Sequence, residues 1–159
     1  LSDGLFLDCA RKMHQQRAPR IDYVELIIDN GCMQIVREPK QFDMLVLVNY
    51  NGDVVSDLCA GLVGGLGVSP GASIGDDCAI FEAVHGSAPD IAGRNLANPL
   101  ALLMSGVMML NHIGDRSTAE RIKLAYNAVL SEGNPEVLTR DIGGSGGTKQ
   151  FADAVCAQL

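Results

Sequence analysis

Five consecutive apolar residues, Met44–Val48, are followed directly by a turn-forming sequence of Asn, Gly and Asp residues. A strand that is covered on both faces has such a continuous apolar pattern, whereas a half-exposed strand alternates apolar and polar residues. The turn opens a predicted helix at about 53–63. A covered strand that leads into a helix is the building unit of α/β proteins, so this segment predicts an α/β fold.

The remaining predicted elements follow from helix and strand periodicity and from punctuation by Gly, Pro and Asn. Helices are predicted at 3–17, 30–38 and 117–132 and in a short final segment, and strands at Val24–Ile28 and Cys78–Phe81. One more helix is bracketed by Asn98 as its N-cap, Pro99 at its first position and Gly114 just past its end. The glycines between 61 and 75 predict a crossing between two lobes, and those at 143–147 predict a flexible or backbone-exposing loop.

Charge and composition exclude several classes of partner. A formal net charge of −7 disfavours nucleic acid, because a phosphate backbone needs a face rich in Lys and Arg. The longest apolar stretch, Leu100–Leu110, is too short to span a bilayer, so no membrane partner is expected. Five scattered cysteines without CxxC spacing are typical of buried, reduced thiols in a reducing compartment. No signal or transit peptide is recognised, and Leu1 is not an initiator Met, so the chain is expected to begin inside a longer protein.

Three aspartates form the first group of candidate functional residues. Asp53 and Asp57 are four positions apart at the start of a predicted helix, so both project from one face about one turn apart. Asp29 follows the predicted strand Val24–Ile28 in an otherwise apolar context. Carboxylates at strand-to-helix turns suit a hard divalent ion such as Mg²⁺ or Mn²⁺. The spacing alone leaves open that Asp53 merely caps the helix and that Asp57 is a solvated surface residue.

A second group of candidates lies in the loop after the predicted strand Cys78–Phe81. Residues 82–93 read Glu-Ala-Val-His-Gly-Ser-Ala-Pro-Asp-Ile-Ala-Gly. Small residues let backbone N–H groups approach a phosphate or an adenine edge, and an acidic residue accepts hydrogen bonds from a ribose hydroxyl and repels a 2′-phosphate. No GxGxxG fingerprint is present. The loop alone also fits an ordinary irregular turn in which His85 is a satisfied hydrogen-bonding residue.

The order and spacing of several motifs resemble the isocitrate and isopropylmalate dehydrogenase family over essentially the whole chain. The matching segments are Asp29-Asn30, Pro39, Phe42-Asp43, Asn49–Asp57 with Gly64–Gly67, His85–Gly93 and Asn98-Pro99. Within the family, Cys59–Gly67 and Pro70–Asp76 resemble the NAD-dependent isocitrate dehydrogenases. Isopropylmalate enzymes differ in this glycine-rich part.

The resemblance implies a role for each candidate. Asp29, Asp53 and Asp57 are implied as ligands of Mg²⁺ or Mn²⁺, with Asp29 donated across a dimer interface and with Asp53 and Asp29 acting in catalysis through that metal. The family's catalytic Lys and Tyr are expected before Leu1. NAD is the implied cofactor, and the residues implied to hold it are Glu82, His85, Gly86, Ser87, Ala88, Asp90, Ile91, Asn98 and Asp141. Members that use NADP resemble this chain but have Lys and Tyr at the positions of Asp90 and Ile91.

The fold implied by the resemblance is a two-lobed α/β fold without a standard Rossmann unit, of which this chain is the carboxy-terminal half. Residues 1–63 would end the small, dimer-forming lobe, and residues 64–159 would return to the large lobe with the adenosine-binding loop. The implied activity is oxidative decarboxylation of isocitrate to 2-oxoglutarate with NAD. It is expected in the mitochondrial matrix or the bacterial cytoplasm, in a homodimer or hetero-oligomer with a shared active site.

Alternatives of three kinds remain open at this point. In the first, the enzyme acts on homoisocitrate or isopropylmalate instead of isocitrate. This alternative is open because the segment that contacts the γ-substituent of the substrate is not in this chain. In the second, the chain is a non-catalytic regulatory subunit of a hetero-oligomeric dehydrogenase, although all three aspartates are retained. In the third it is a plain interaction module, which requires this piece to fold alone. In every case the piece by itself is expected to be inactive, because the catalytic Lys and Tyr are absent from it.

Overall fold

The computed structural model describes residues 2–159, and in that range it contains six α-helices and one two-stranded sheet. The helices are α1 (Ser2–Arg17), α2 (Ile28–Arg37), α3 (Asn49–Val63), α4 (Leu100–His112), α5 (Arg116–Glu132) and α6 (Thr148–Ala157). Strands β1 (Pro70–Ile74) and β2 (Ala79–Ala83) pair antiparallel, with Gly71 opposite Glu82. Strand β2 confirms the predicted strand near Cys78–Phe81, whereas β1 lies in the glycine-rich stretch and was not predicted.

The six predicted helices are confirmed, but α4 begins at Leu100 with Pro99 as its N-cap, so the prediction of Asn98 as N-cap is wrong. The largest difference is at the start of α3. This helix begins at Asn49, well before the predicted start at about 53. Asn49 and Gly52 are poor helix formers that favour a turn when the sequence is considered alone. In the structure the N–H of Gly52 donates to the carbonyl of Val48 over 2.8 Å. Helical hydrogen bonding therefore overrides the local propensity of this segment.

Two compact units make up the chain, the first ending at Cys59 and the second covering Ala60–Leu159. In the first unit, α1 has no buried residue. Arg11 joins α1 to the segment after it through two hydrogen bonds to the carboxylate of Glu25, at 2.7 and 2.6 Å. The hydrogen bond from Arg11 lowers the pKa of Glu25. A paired surface carboxylate thus holds this otherwise exposed stretch against the helix.

Both strands predicted in the first unit are wrong. Residues 22–27 and 44–48 lie in neither a helix nor a strand, and the side chains of Val24 and Val46 are 76% and 69% exposed. A strand persists only when a neighbour exchanges backbone hydrogen bonds with it. In the described range, the sole sheet is the pair β1–β2. The apolar pattern therefore indicates segments that require burial, but it does not identify which other segment buries them.

The second unit is built around α4. This helix packs against both strands and against α5, and α5 packs against α6. The buried core consists of Leu100, Val107, Ala119, Ala125, Tyr126, Val129, Phe151 and Val155. Fully burying a side chain such as Phe151 stabilises the fold by about 1.5–3 kcal/mol. Asp115 caps α5 by accepting the N–H of Thr118 over 3.1 Å. Hydrogen bonding from the side chain of Thr118, and then from its backbone, lowers the pKa of the Asp115 carboxyl.

A buried hydroxyl connects α4 with the two strands. Ser105 is fully buried, and its Oγ donates toward the carbonyl of Glu82 over 2.7 Å. The same Oγ accepts the N–H of Gly71 over 3.4 Å. It also lies 2.9 Å from the carbonyl of Ala101, one turn back in α4. Gly71 and Glu82 are paired across the two strands. Because Ser105 bonds to both of them, it fixes the position of α4 along the strand pair β1–β2.

In the glycine-rich loop 143–147, Gly146 and Gly147 are buried, so the prediction of a backbone-exposing loop is wrong for these two residues, whereas Gly143 and Ser145 are exposed. A Cβ at Gly144 would overlap the carbonyl group of Leu138, and one at Gly146 would overlap the carbonyls of Glu136 and Val137. Gly146 is buried and forms a parallel bridge with Thr139. Glycine is present here because backbone meets backbone without room for a side chain.

The cysteines are free, as predicted, but the expectation that they are buried is wrong. Cys9, Cys78 and Cys156 are exposed, and Cys32 and Cys59 are half-buried. Among the described residues, no helix has both the length and the apolar character required to cross a bilayer.

Candidate metal and cofactor sites

Helix α3 carries two of the predicted metal ligands on its exposed surface. Asp53 and Asp57 are both solvent-exposed, and the carboxamide of Asn49 donates to Asp53 Oδ2 over 3.2 Å. Neither carboxylate forms a salt bridge with any described residue. Because α3 begins at Asn49, Asp53 lies inside the helix, and the alternative that it merely caps the helix is wrong. Two uncompensated carboxylates one turn apart fit a hard divalent cation, which binds through charge and oxygen ligands.

The third predicted ligand, Asp29, lies in the first turn of α2 and is also exposed. Its Oδ1 accepts the backbone N–H of the next residue, Asn30. Within residues 2–159, no three His, Cys, Asp or Glu side chains form a group that could hold a metal ion. One copy of the chain therefore does not assemble Asp29 with Asp53 and Asp57. Their shared role as ligands stays a prediction, and it requires Asp29 to come from a second copy or another protomer.

The loop 84–99 leaves β2 and presents most of the predicted cofactor residues to solvent. Glu82, in β2 itself, and Asp90 are exposed, whereas Ile91 is half-buried. Ala88 adopts the left-handed conformation, with φ 41° and ψ 62°, and a single 3₁₀ turn follows at Pro89–Ile91. For a residue with a Cβ this conformation costs on the order of 1 kcal/mol. The loop is thus held in a specific turn.

Among the described residues, the imidazole of His85 has one hydrogen-bond partner, which is the neighbouring predicted residue Gly86. Its Nδ1 lies 2.9 Å from the carbonyl oxygen of the next residue, Gly86. This contact requires the tautomer that carries the proton on Nδ1, because a carbonyl only accepts. The ring itself is exposed.

Asn98 and Asp141 are the two predicted cofactor residues that the structure joins by a side-chain hydrogen bond. Asn98 Nδ2 donates to Asp141 Oδ2 over 2.9 Å, and Asn98 Oδ1 accepts the N–H of Leu100 over 2.9 Å. Asn98 is 8% exposed, whereas the rest of Asp141 faces solvent. The two bonds fix which way the carboxamide faces and leave one N–H of Nδ2 free. That N–H is a donor, so it could bind a hydrogen-bond acceptor on a ligand.

Three residues that support this site are not identifiable from the sequence pattern. A Cβ on Gly67 would lie 2.8 Å from Asp141 Oδ2 and 3.3 Å from Asn98 Cβ, so glycine allows those segments to meet. Its signals in the sequence are its place in a run of glycines and in the family-like segment Gly64–Gly67, and neither indicates a contact with Asn98 or Asp141. Ser105 in a helix and Asn95 in a loop are locally ordinary positions, because their partners are distant in sequence.

The comparison with known proteins agrees with the residue pattern. The sequence profile described as isocitrate/isopropylmalate dehydrogenase matches residues 1–155. The NAD isocitrate dehydrogenase catalytic subunit 5 of Arabidopsis thaliana is 54% identical over 99% of this chain and 42% of its own length. A regulatory subunit of the mitochondrial NAD isocitrate dehydrogenase of Dictyostelium discoideum is 50% identical over 99% of this chain and 44% of its length.

Solved structures give the same result for the fold. The crystal structure of isocitrate dehydrogenase from Methylococcus capsulatus superposes with a TM-score of 0.90 and 46% identity over 98% of this chain and 45% of that one. The predicted fold class is thereby confirmed. The chain spans less than half the length of the relatives that it matches. On the combined evidence of profile, relatives and fold, the chain belongs to the isocitrate/isopropylmalate dehydrogenase family.

Proposed function

We propose that this chain forms the metal-binding and adenosine-binding part of an NAD-dependent isocitrate dehydrogenase, which converts isocitrate to 2-oxoglutarate and CO₂. The observation that carries the proposal is the pair Asp53 and Asp57, exposed on α3 one turn apart and without a salt-bridge partner among the described residues. Exposed apolar runs around Val24 and Val46 support a role within a longer chain, because they require a cover. Relatives named as mitochondrial support a place in the mitochondrial matrix.

In the proposed site, Asp53 and Asp57 of one protomer, together with Asp29 of its neighbour, hold Mg²⁺ or Mn²⁺. An ion held there would supply Lewis-acid and charge-stabilising chemistry for the decarboxylation. The carboxylates supply charge and oxygen atoms, and their exposure leaves room for the substrate's own oxygens. A shared site of this kind requires a homodimer or a hetero-oligomer. Residues 1–63 then form part of the dimer-forming lobe, and residues 64–159 belong to the cofactor lobe.

The proposed cofactor is NAD rather than NADP, because the loop presents an acidic side chain. Asp90 is exposed at the 3₁₀ turn after Ala88. A carboxylate accepts hydrogen bonds from a ribose hydroxyl and repels a 2′-phosphate. The remaining N–H of Asn98 would be available as a donor to the adenosine half of the cofactor.

Isocitrate binding to the full-length protein, measured with and without Mn²⁺, tests the metal part of the proposal. We expect binding to depend on the metal and Asp57→Asn to weaken it strongly. Asp153→Asn is the matched control, because Asp153 is an exposed aspartate on α6, outside the proposed site. If isocitrate binding depends on the metal equally in the Asp57 and Asp153 variants, α3 does not contribute ligands to the metal site.

The cofactor part is tested by the double variant Asp90→Lys, Ile91→Tyr in the same protein. It replaces a repulsive charge with an attractive one, so the ratio of kcat/KM for NADP over NAD should rise by more than about tenfold. Asp153→Lys makes the same charge change elsewhere. An unchanged ratio would mean that Asp90 does not face the ribose.

A second candidate function is that of a regulatory subunit in a hetero-oligomeric isocitrate dehydrogenase. The 50% identity to the Dictyostelium discoideum regulatory protein favours it, since that value is close to the 54% for a catalytic relative. The two candidates differ in where the metal-dependent step occurs. If Asp57→Asn leaves turnover by the assembled enzyme intact but abolishes activation by an effector, the regulatory function is correct.

A further inference from the structure

Asn95 lies in the middle of the loop 84–99 and caps a helix that is remote in sequence. Its Oδ1 accepts the N–H of Lys149 over 2.8 Å, and its Nδ2 donates to Gln150 Oε1 over 2.9 Å. Its carbonyl accepts the N–H of Thr148 over 3.3 Å. Thr148 and Lys149 are the first two residues of α6, whose opening N–H groups have no partner within the helix. Asn95 therefore satisfies two of these donors.

The surrounding chain is shaped to receive Asn95. Its backbone is left-handed, with φ 56°, a conformation that asparagine tolerates better than most residues. Gly147 is buried, and a Cβ there would overlap the carbonyl and the carboxamide of Asn95. The hydroxyl of Thr148 donates to the carbonyl of Ala97, which gives a second tie between α6 and the same loop.

These contacts lie between the two parts of the proposed adenosine site. On one side Arg94 Nη1 lies 3.4 Å from the carbonyl of Asp90, which closes the turn that presents this carboxylate. On the other side Asn98 contacts Asp141. Asn95 and Ala97 belong to no helix or strand, so α6 is the regular element that fixes this stretch.

We propose that Asn95 is a positioning residue for cofactor binding, which sets the loop that carries Asp90 and Asn98 by docking it on the N-terminus of α6. This inference rests on the proposed function, because it assumes that the loop holds the adenosine half of NAD. Asn95 does not touch the cofactor. It acts through the loop backbone, and Thr148 assists it from α6.

Three variants of the full-length enzyme separate this role from a purely structural one. Asn95→Gly removes the carboxamide while accepting the positive φ, so the backbone is not strained. Asn95→Asp keeps the oxygen that accepts the N–H of Lys149, and its charge suits a helix N-terminus. Gln150→Ala removes only the partner of Nδ2. The readouts are KM for NAD and for isocitrate, kcat, NADH binding by fluorescence, and Tm.

We expect Asn95→Gly to raise KM for NAD and the Kd for NADH about three- to tenfold. This ratio corresponds to the free energy that is typically lost when a helix cap is removed. KM for isocitrate and kcat should stay within about twofold, because the metal site is not involved. Asn95→Asp should restore NAD affinity to near wild type, and Gln150→Ala should have a smaller effect than Asn95→Gly.

Unchanged NAD affinity in Asn95→Gly, with only Tm lowered, would overturn the proposal and leave Asn95 as a helix cap. If Asn95→Gly does not fold, NAD affinity and Tm are compared in Thr148→Val and its control Thr148→Ser, since valine removes the hydroxyl and serine keeps it. Unchanged NAD affinity in Thr148→Val would then overturn the proposal. A cofactor switch by Asp90→Lys, Ile91→Tyr without any Asn95 or Thr148 effect refutes this inference alone. No switch and no effect of Asn95 on NAD refute the adenosine assignment as well.

Discussion

The carboxamide of Asn98 and the carboxylate of Asp141 meet at 2.9 Å over the α-carbon of Gly67, where a Cβ would lie 2.8 Å from the Asp141 oxygen. The contact joins three segments of the second unit that are distant in sequence. Asn98 is buried and bonded on both polar atoms of its side chain. The geometry of this proposed adenine contact therefore depends on the absence of a side chain at position 67.

Gly67→Ala tests that dependence. The added Cβ displaces Asp141 or Asn98, so KM for NAD in the full-length enzyme should rise, by about tenfold for a loss near 1.4 kcal/mol. Asp141→Ala removes the atom that the Cβ would meet. In that background the same Gly67→Ala change should cost clearly less, and the difference is the coupling energy of a double-mutant cycle. Additive effects would show that the Cβ does not act through Asp141.

Gly144→Ala should destabilise the fold by more than about 3 kcal/mol, because the new Cβ overlaps the backbone of Leu138 and neither segment can rotate away. Thermal unfolding of the full-length protein measures the effect. Gly106→Ala is the matched control, since nothing lies within 4 Å of its Cβ position in α4. It should stabilise the helix by about 0.5–1 kcal/mol. Similar behaviour of the two variants would contradict the packing described for loop 143–147.

Thr139 and Ser105 each have a fully buried hydroxyl, and we expect removal of the two hydroxyls to have opposite effects on stability. Thr139 Oγ1 has no hydrogen-bond partner among the described residues. Thr139→Val keeps the shape and removes the unsatisfied group, so stability should be unchanged or higher by up to about 1 kcal/mol. Ser105→Ala leaves the Gly71 N–H without that acceptor and should cost about 1–3 kcal/mol. Chemical denaturation distinguishes the two, and a large loss in Thr139→Val would mean that its hydroxyl has a partner in the assembled protein.

The sequence predicted best those features that depend on neighbouring residues. Helix α5, predicted at 117–132, was correct to within one residue because its amphipathic periodicity is a local property of the sequence. Predictions failed where the deciding partner is distant. Val46 has a strand pattern without a strand to pair with, and loop 143–147 contains glycines because of backbone contacts that no local rule anticipates.

The candidate site divides in the same way. Asp53 and Asp57 were placed on one helix face from their spacing, and the structure confirms that both lie on α3 one turn apart. The contact of Asn98 with Asp141 and the cap that Asn95 provides were not predictable, because both arise from the docking of remote segments. The sequence thus allowed candidate functional residues to be predicted, whereas the residues that hold those candidates in place could not be predicted.

Asp29 and Asp57 provide the last prediction, since a single copy of the chain does not gather them into a metal site. If the proposed dimer shares its sites, each site takes Asp53 and Asp57 from one protomer and Asp29 from the other. Asp29→Asn and Asp57→Asn homodimers should then both need far more Mg²⁺ or Mn²⁺, because each loses one unit of charge at both sites. In a purified mixed dimer of the two variants, one site carries both lesions and the other carries none, so about half of wild-type activity should return at wild-type metal concentration. A mixed dimer of Asp53→Asn and Asp57→Asn is the control, because both changes lie on the same helix and each site keeps one lesion. Recovery in the first mixed dimer but not in the second establishes the shared site. If neither recovers although exchange between protomers is verified, Asp29 serves its own protomer or binds no metal.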